Sequence, residues 1–174
     1  LEFRRVLFRS NANVSWTNSG NTMTWTATNG GLSGSGNISM PSGIGTGFSI
    51  TQGGTSTYSG VISGGGDFTK AGNGTLILTG NNNYTGDTSN TTAATTVDVG
   101  GSLQVGNGGT SGALGSGWIK NSGTLIFNRS DSSIISQSMQ YTVVSPAVSS
   151  TGLMKIMAGT WQLNADNLLS PKSF

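Results

Sequence analysis

The sequence predicts an all-β solenoid, a chain wound into stacked coils. A short strand motif recurs: a glycine corner, Thr or Ser, an apolar residue, a variable residue, and a second apolar residue. It reads GTLIL at residues 74–78, GSLQV at 101–105, GTLIF at 123–127 and GTWQL at 159–163. A strand that returns at intervals of some 20 to 50 residues is the signature of stacked repeats. Composition agrees, since 29 of 174 residues are glycine and only 8% are charged, against about 25% charged in an ordinary globular protein. The apolar residues also alternate within short runs bounded by turn formers, as half-buried strands require. That alternation separates the chain from a disordered Gly/Ser/Thr/Asn tract. Without a strict Gly-X-Y period, and with three prolines, it is neither collagen-like nor a polyproline stalk.

Taken in order, residues 1–10, LEFRRVLFRS, stand apart in composition and spacing and are read as a non-native tail resembling translated adapter or vector sequence; the alternative is a basic membrane-surface arm. The tail holds Arg4, Arg5 and Arg9 against Glu2, so without it the eight basic and six acidic residues become five and five. The apparent basicity then vanishes, and with it any nucleic-acid signal. Residues 11–174 form a single predicted β-helical segment. In residues 11–63, which carry Trp16 and Trp25, ISM at 38–40, FSI at 48–50, and Val61 with Ile62 read as short strands. Residues 64–128 hold the clearest motifs, with VDV at 97–99 as a further strand. Residues 129–174 are less regular, with strand-like Ile134, Ile135, Val143 and Val144, and room for a helix only near 165–169.

Within each motif, period-two alternation sends the two apolar residues inward. Leu76 and Leu78, Leu103 and Val105, Leu125 and Phe127, Trp161 and Leu163 are the eight expected core residues, and Ile77, Gln104, Ile126 and Gln162 should face out. The motif starts are 27, 22 and 36 residues apart, and the longest gap has room for a looped-out coil. At about 22 residues per coil the chain should make roughly seven coils, a rod about 34 Å long.

The stretch SGVISGGGDFTKAGNGTLILTGNNNYTGDT at 59–88, continued by VDVGGSLQVGNGGTSGALGSG at 97–117 and GTLIFNRSD at 123–131, resembles the autotransporter-associated β-strand repeat, also called the passenger-associated transport repeat. The family pattern runs from Lys through a Gly-x-Gly-Thr-Leu corner to Asn-x-Tyr-x-Gly-x-Thr. Here it falls on Lys70, Gly72, Gly74, Thr75, Leu76, Asn82, Tyr84, Gly86 and Thr88. Residues 59–131 are the clearest repeat region. Two features depart from the pattern: TSNTTAA at 88–94 lengthens the link to the next strand, and IMAGTW at 156–161 replaces the glycine-flanked leucine. The resemblance implies a right-handed parallel β-helix in the exported passenger of a type V secretion protein, with a translocating outer-membrane barrel elsewhere in the same polypeptide. It also implies a cell-surface location and host-surface or matrix glycans and proteins as partners.

Chemistry is tightly limited. With no cysteine and no histidine, thiolate or imidazole metal sites, imidazole-dependent serine triads, disulfides and His-ligated haem are all excluded. No run reaches the 18 to 20 apolar residues of a membrane-spanning helix. Outside the tail the acids are Asp67, Asp87, Asp98, Asp131 and Asp166, no two closer than eleven residues. Glycan-cleaving β-helices need paired carboxylates, and stacking is the one way to bring Asp67, Asp87 and Asp98 together. GGGDFTKAG at 64–72 holds one carboxylate, which is too few for a calcium-binding repeat. Asn81 to Asn83 are read as turn residues or amide ladders rather than a glycan site. Trp161 is read as core, and Tyr84 and Trp118 as packing or rim residues rather than sugar platforms. The six Asn-x-Ser/Thr triplets, at Asn13, Asn37, Asn73, Asn83, Asn90 and Asn128, follow from composition and are assigned no glycan. The expectation is therefore a noncatalytic stalk or adhesin segment without catalytic, cofactor or metal residues. The alternatives are a fragment of a polysaccharide-processing β-helix and a purely structural spacer.

Overall fold

The computed structural model describes residues 22–27, 30–40, 42, 45–86, 92–135, 137, 139–140, 143–144, 148–149 and 152–163. The tail at 1–10, Trp16, Asp87, Asp166 and the helix considered near 165–169 lie outside the described residues. Every element described is a strand. The chain winds as a parallel β-helix with two long walls of stacked strands and a third side that is strand-paired only in its first coils.

The first wall stacks β1 (Thr22–Ala27), β3 (Gly47–Gln52), β6 (Asp67–Ala71), β8 (Thr95–Val97), β10 (Ile119–Asn121) and β12 (Met139–Gln140), all parallel. The second stacks β4 (Ser56–Tyr58), β7 (Thr75–Leu78), β9 (Ser102–Val105), β11 (Thr124–Ile135) and β15 (Leu153–Leu163), also parallel. The third begins with β2 (Ile38–Met40) on β5 (Ile62–Gly64). Backbone bonds continue it upward, from Asn83 N to Ile62 O at 3.1 Å, Thr85 N to Gly64 O at 2.9 Å and Ser116 N to Tyr84 O at 2.9 Å. A short antiparallel pair, β13 (Val143–Val144) with β14 (Val148–Ser149), breaks the parallel pattern.

The described rungs close about four full turns, fewer than the roughly seven expected. Coil length is not uniform: successive second-wall rungs start at Thr75, Ser102, Thr124 and Leu153, so the coils span 27, 22 and 29 residues. The 27-residue coil is longer between β7 and β8 and between β8 and β9, and the 29-residue coil is longer between β12 and β15, where the β13–β14 pair lies. VDV is also shorter than expected, because β8 ends at Val97 and Val99 stands 78% exposed in the following turn.

Inner files form because parallel register places equivalent residues over one another. Leu76, Leu103 and Leu125 make one file, with Met154 above them, and Leu78, Val105 and Phe127 make the next. These six motif residues are all buried, as alternation predicts, each at 3% exposure or less. Ile77 and Ile126 face outward, half-buried; Gln104 is instead covered, because its amide folds back onto Gly106 O at 2.8 Å. Register also corrects the fourth motif. The strand stacked on GTLIF is Leu153–Ile156, whereas Thr160, Trp161 and Leu163 pair with Ser132, Ser133 and Ile135 beyond the bulge. The side chains of Trp161, Gln162 and Leu163 lie outside the described residues.

The corners explain the glycines. Gly72 has φ of +74°, a left-handed conformation that favours glycine. Gly74 lies so close to the coil below that a Cβ would come within 2.1 Å of Gly54 O. Stacking at a rung spacing of about 4.8 Å leaves no room for a side chain there.

Candidate functional site

The inner file of the first wall carries an unexpected member. Ile50, Lys70, Val97 and Asn121 stand over one another in register, and Lys70 is 0% exposed. Its stem lies between two branched aliphatics, and its Nζ donates to Ala71 O at 2.6 Å and Gly72 O at 3.0 Å. Burial pushes the amine down to about 8, and Asp98 pulls it partly back. Lys70 was legible as part of the repeat pattern, but not as an inward residue.

Neutral amides do comparable work at the neighbouring corners. Gln52 Nε2 donates to Gly54 O and Thr75 O, both at 2.9 Å, and its Oε1 accepts from Leu32 N at 3.3 Å. Asn121 accepts from Gly123 N at 3.2 Å and donates to Leu153 O at 3.3 Å. Each satisfies backbone groups that the turn would otherwise strand inside the coil.

Asn81 and Asn82 have structural roles on the third wall. Asn82 is buried, accepts from Ile62 N at 2.8 Å below and donates to Ala113 O at 2.7 Å above. Asn81 accepts from Gly112 N at 3.0 Å. The ladder is thus side chain to backbone rather than amide on amide, with Asn82 buried and Asn81 and Asn83 exposed on either side of it. Tyr84 is a packing residue with no exposed surface. Its ring lies 5.8 Å from Phe68, which is 6.3 Å from Phe48, and its hydroxyl meets Thr95 Oγ1 at 2.6 Å. Burial pushes both Tyr84 and Tyr58 up to about 12; the Tyr58 hydroxyl donates to Gly36 O. Trp118 is half-buried.

The carboxylates are spread out. Asp67 opens β6 and Asp98 follows β8, and register places Phe68 beside Thr95 and Lys70 beside Val97. They therefore sit at opposite ends of the wall, roughly four residues or about 13 Å apart along the strand direction. Asp131, on another wall, is occupied by Arg129, whose Nε and Nη2 grip its two oxygens at 2.9 and 2.6 Å. Those hydrogen bonds hold the Asp131 carboxyl below its ordinary range. The same guanidinium donates to Gly112 O at 2.6 Å and Thr110 O at 2.7 Å, tying the 107–111 turn to the β11 bulge. Leu114, Phe127, Ile135, Arg129 and Gln137 help to line a cavity of about 100 Å³ beside this clamp. Among the described residues no three Asp or Glu side chains gather where a metal ion would need them.

The structure brings together six of the eight predicted core residues, Leu76, Leu78, Leu103, Val105, Leu125 and Phe127, and the repeat's Lys70, Asn82 and Tyr84, all as interior contacts. It does not bring together Asp67 and Asp98. In comparisons with known proteins, the chain matches no family model, no curated protein and no solved structure.

Proposed function

We propose that the chain is a noncatalytic stalk or adhesin segment of an exported autotransporter passenger, displayed at the cell surface through a barrel elsewhere in the polypeptide. The observation that carries this reading is the internal use of the repeat's polar signature. Lys70, Asn82 and Tyr84 are buried in bonds between or within coils, so the motif specifies stacking. A motif spent on stacking is a motif for length and rigidity.

The architecture suits vectorial export. Each rung bonds to the rung below it, as Ser102 N does to Gly74 O at 3.4 Å and Thr124 N to Gly101 O at 2.8 Å. A stack with nearest-neighbour contacts can grow from a folded end as further chain emerges, drawing the segment outward without a nucleotide. The partners on this reading are the translocator barrel and host-surface or matrix glycans and proteins, with no role for nucleic acid.

The test is binding of the full-length passenger to host cells and extracellular matrix, run beside turnover assays on a panel of polysaccharides. The stalk or adhesin reading expects binding that falls when residues 59–131 are deleted, and no turnover. Turnover abolished by Asp67→Asn or Asp98→Asn would overturn it in favour of an enzyme. Unchanged adhesion with a shortened passenger would reduce the segment to a spacer.

A further inference from the structure

We propose that Lys70, an amine sealed inside the coil built from β6 and β7, makes that coil a proton-responsive joint, loosest when the amine is protonated and tightest when its proton has left to solvent. This goes beyond the export reading and does not depend on it.

The geometry fits the neutral amine better than the ammonium. An ammonium carries three N–H donors and a neutral amine two. Among the described residues, two acceptors face Nζ, Ala71 O and Gly72 O. The side chain occupies a core file between Ile50 and Val97, with no exposed surface through which water reaches it. A charge with one donor unmet in such a place is costly, and the usual relief is loss of the charge.

The electrostatic surroundings supply little compensation. Of the strands packed around it, β3, β7, β8 and β9 contain no titratable side chain. On its own strand Asp67 lies at the far end, leaving Asp98, exposed just beyond β8, as the nearby opposite charge. Gln52 and Asn121, which meet the equivalent need in other coils, cannot titrate. Among the described residues of the first wall's inner file, Lys70 is therefore the titratable member.

The direction follows from linkage. The amine is pushed down to about 8 from 10.5, so the unfolded chain binds more protons than the folded one between those values. Stability therefore rises with pH through that window. Above about 10 the effect is opposed, because Tyr58 and Tyr84 are pushed up to about 12 and ionise more readily unfolded.

The experiment is urea unfolding of the whole chain from pH 7 to 10, for the wild type and Lys70→Met. The ratio of the wild-type to the Lys70→Met folding constant, in which the tyrosine contributions cancel, should rise about 40-fold between pH 8 and pH 10. Parallel profiles, which leave that ratio constant, would overturn the proposal. Should Lys70→Met fail to fold, a 13C-detected titration of the lysine side chains in the wild type decides instead. A Lys70 midpoint near 8 supports the joint, and one at or above the ordinary 10.5 removes it.

Discussion

Leu103→Ala tests the inner files at their centre. Leu103 has no exposed surface and lies in register between Leu76 below and Leu125 above. Truncating a buried leucine costs about 2 to 5 kcal/mol, the higher values applying where surroundings cannot collapse into the cavity. Here β9 is hydrogen-bonded to β7 on one side and β11 on the other, which fixes the rung spacing and prevents collapse along the stack. The expected loss is therefore about 3 to 4 kcal/mol, a large share of the 5 to 15 kcal/mol typical of a folded domain. At a urea slope near 2 kcal/mol/M the midpoint should fall by about 1.5 to 2 M. The matched control is Ile126→Ala on the outer face of the same wall, half-buried, which should cost under about 1 kcal/mol. Equal losses for the two variants, measured by circular dichroism in urea, would refute the assignment of inner and outer faces.

Gly74→Ala would thrust a methyl against the Gly54 carbonyl and should weaken folding by several kcal/mol. Gly109→Ala, where a Cβ meets nothing within 4 Å, should leave the urea midpoint within error. Tyr84→Phe removes the 2.6 Å contact with Thr95 Oγ1 and should cost about 1 to 2 kcal/mol near neutral pH; no loss in a thermal or urea melt would show that this bond contributes little. The two buried tyrosines keep their protons in the fold up to about 12, so the stability they confer is complete below about pH 10 and is lost as pH rises towards 12. Absorbance titration of phenolate in a Tyr141→Phe background, which leaves only these two tyrosines, should show ionisation and unfolding together, and phenolate forming near pH 10 in the intact fold would contradict the burial.

What was legible in the sequence was the part governed by local rules. GTLIL, GSLQV and GTLIF place Leu76, Leu103 and Leu125 inside because strand alternation and glycine corners operate within five residues. Lys70 was not legible as a core residue, since charge ordinarily marks an outward position and only tertiary stacking turns this one inward. The fourth rung was misplaced for a similar reason. GTWQL carries the motif, but the β11 bulge shifts the register, so Leu153–Ile156 continues the file and GTWQL pairs farther along. The turn at 107–111 and the Arg129–Asp131 clamp that holds it depend on contacts between coils. No local pattern announces them. The candidate site followed the same division: Asn82 and Tyr84 were recognisable as repeat residues, while their interior roles came from the coils above and below.

The central claim is the parallel stack itself, with residues a coil apart in sequence held one rung apart in space. The outward file Thr57, Ile77, Gln104, Ile126 and Lys155 offers a direct measurement, because register places these residues on successive rungs of the second wall. The chain has no cysteine, so Thr57→Cys and Lys155→Cys can carry a unique pair of spin labels for a distance measurement. Four rungs at about 4.8 Å predict backbone positions about 19 Å apart and a narrow label-to-label distribution near that value. A broad distribution centred well beyond 30 Å, as expected of an unstacked chain, would contradict the solenoid.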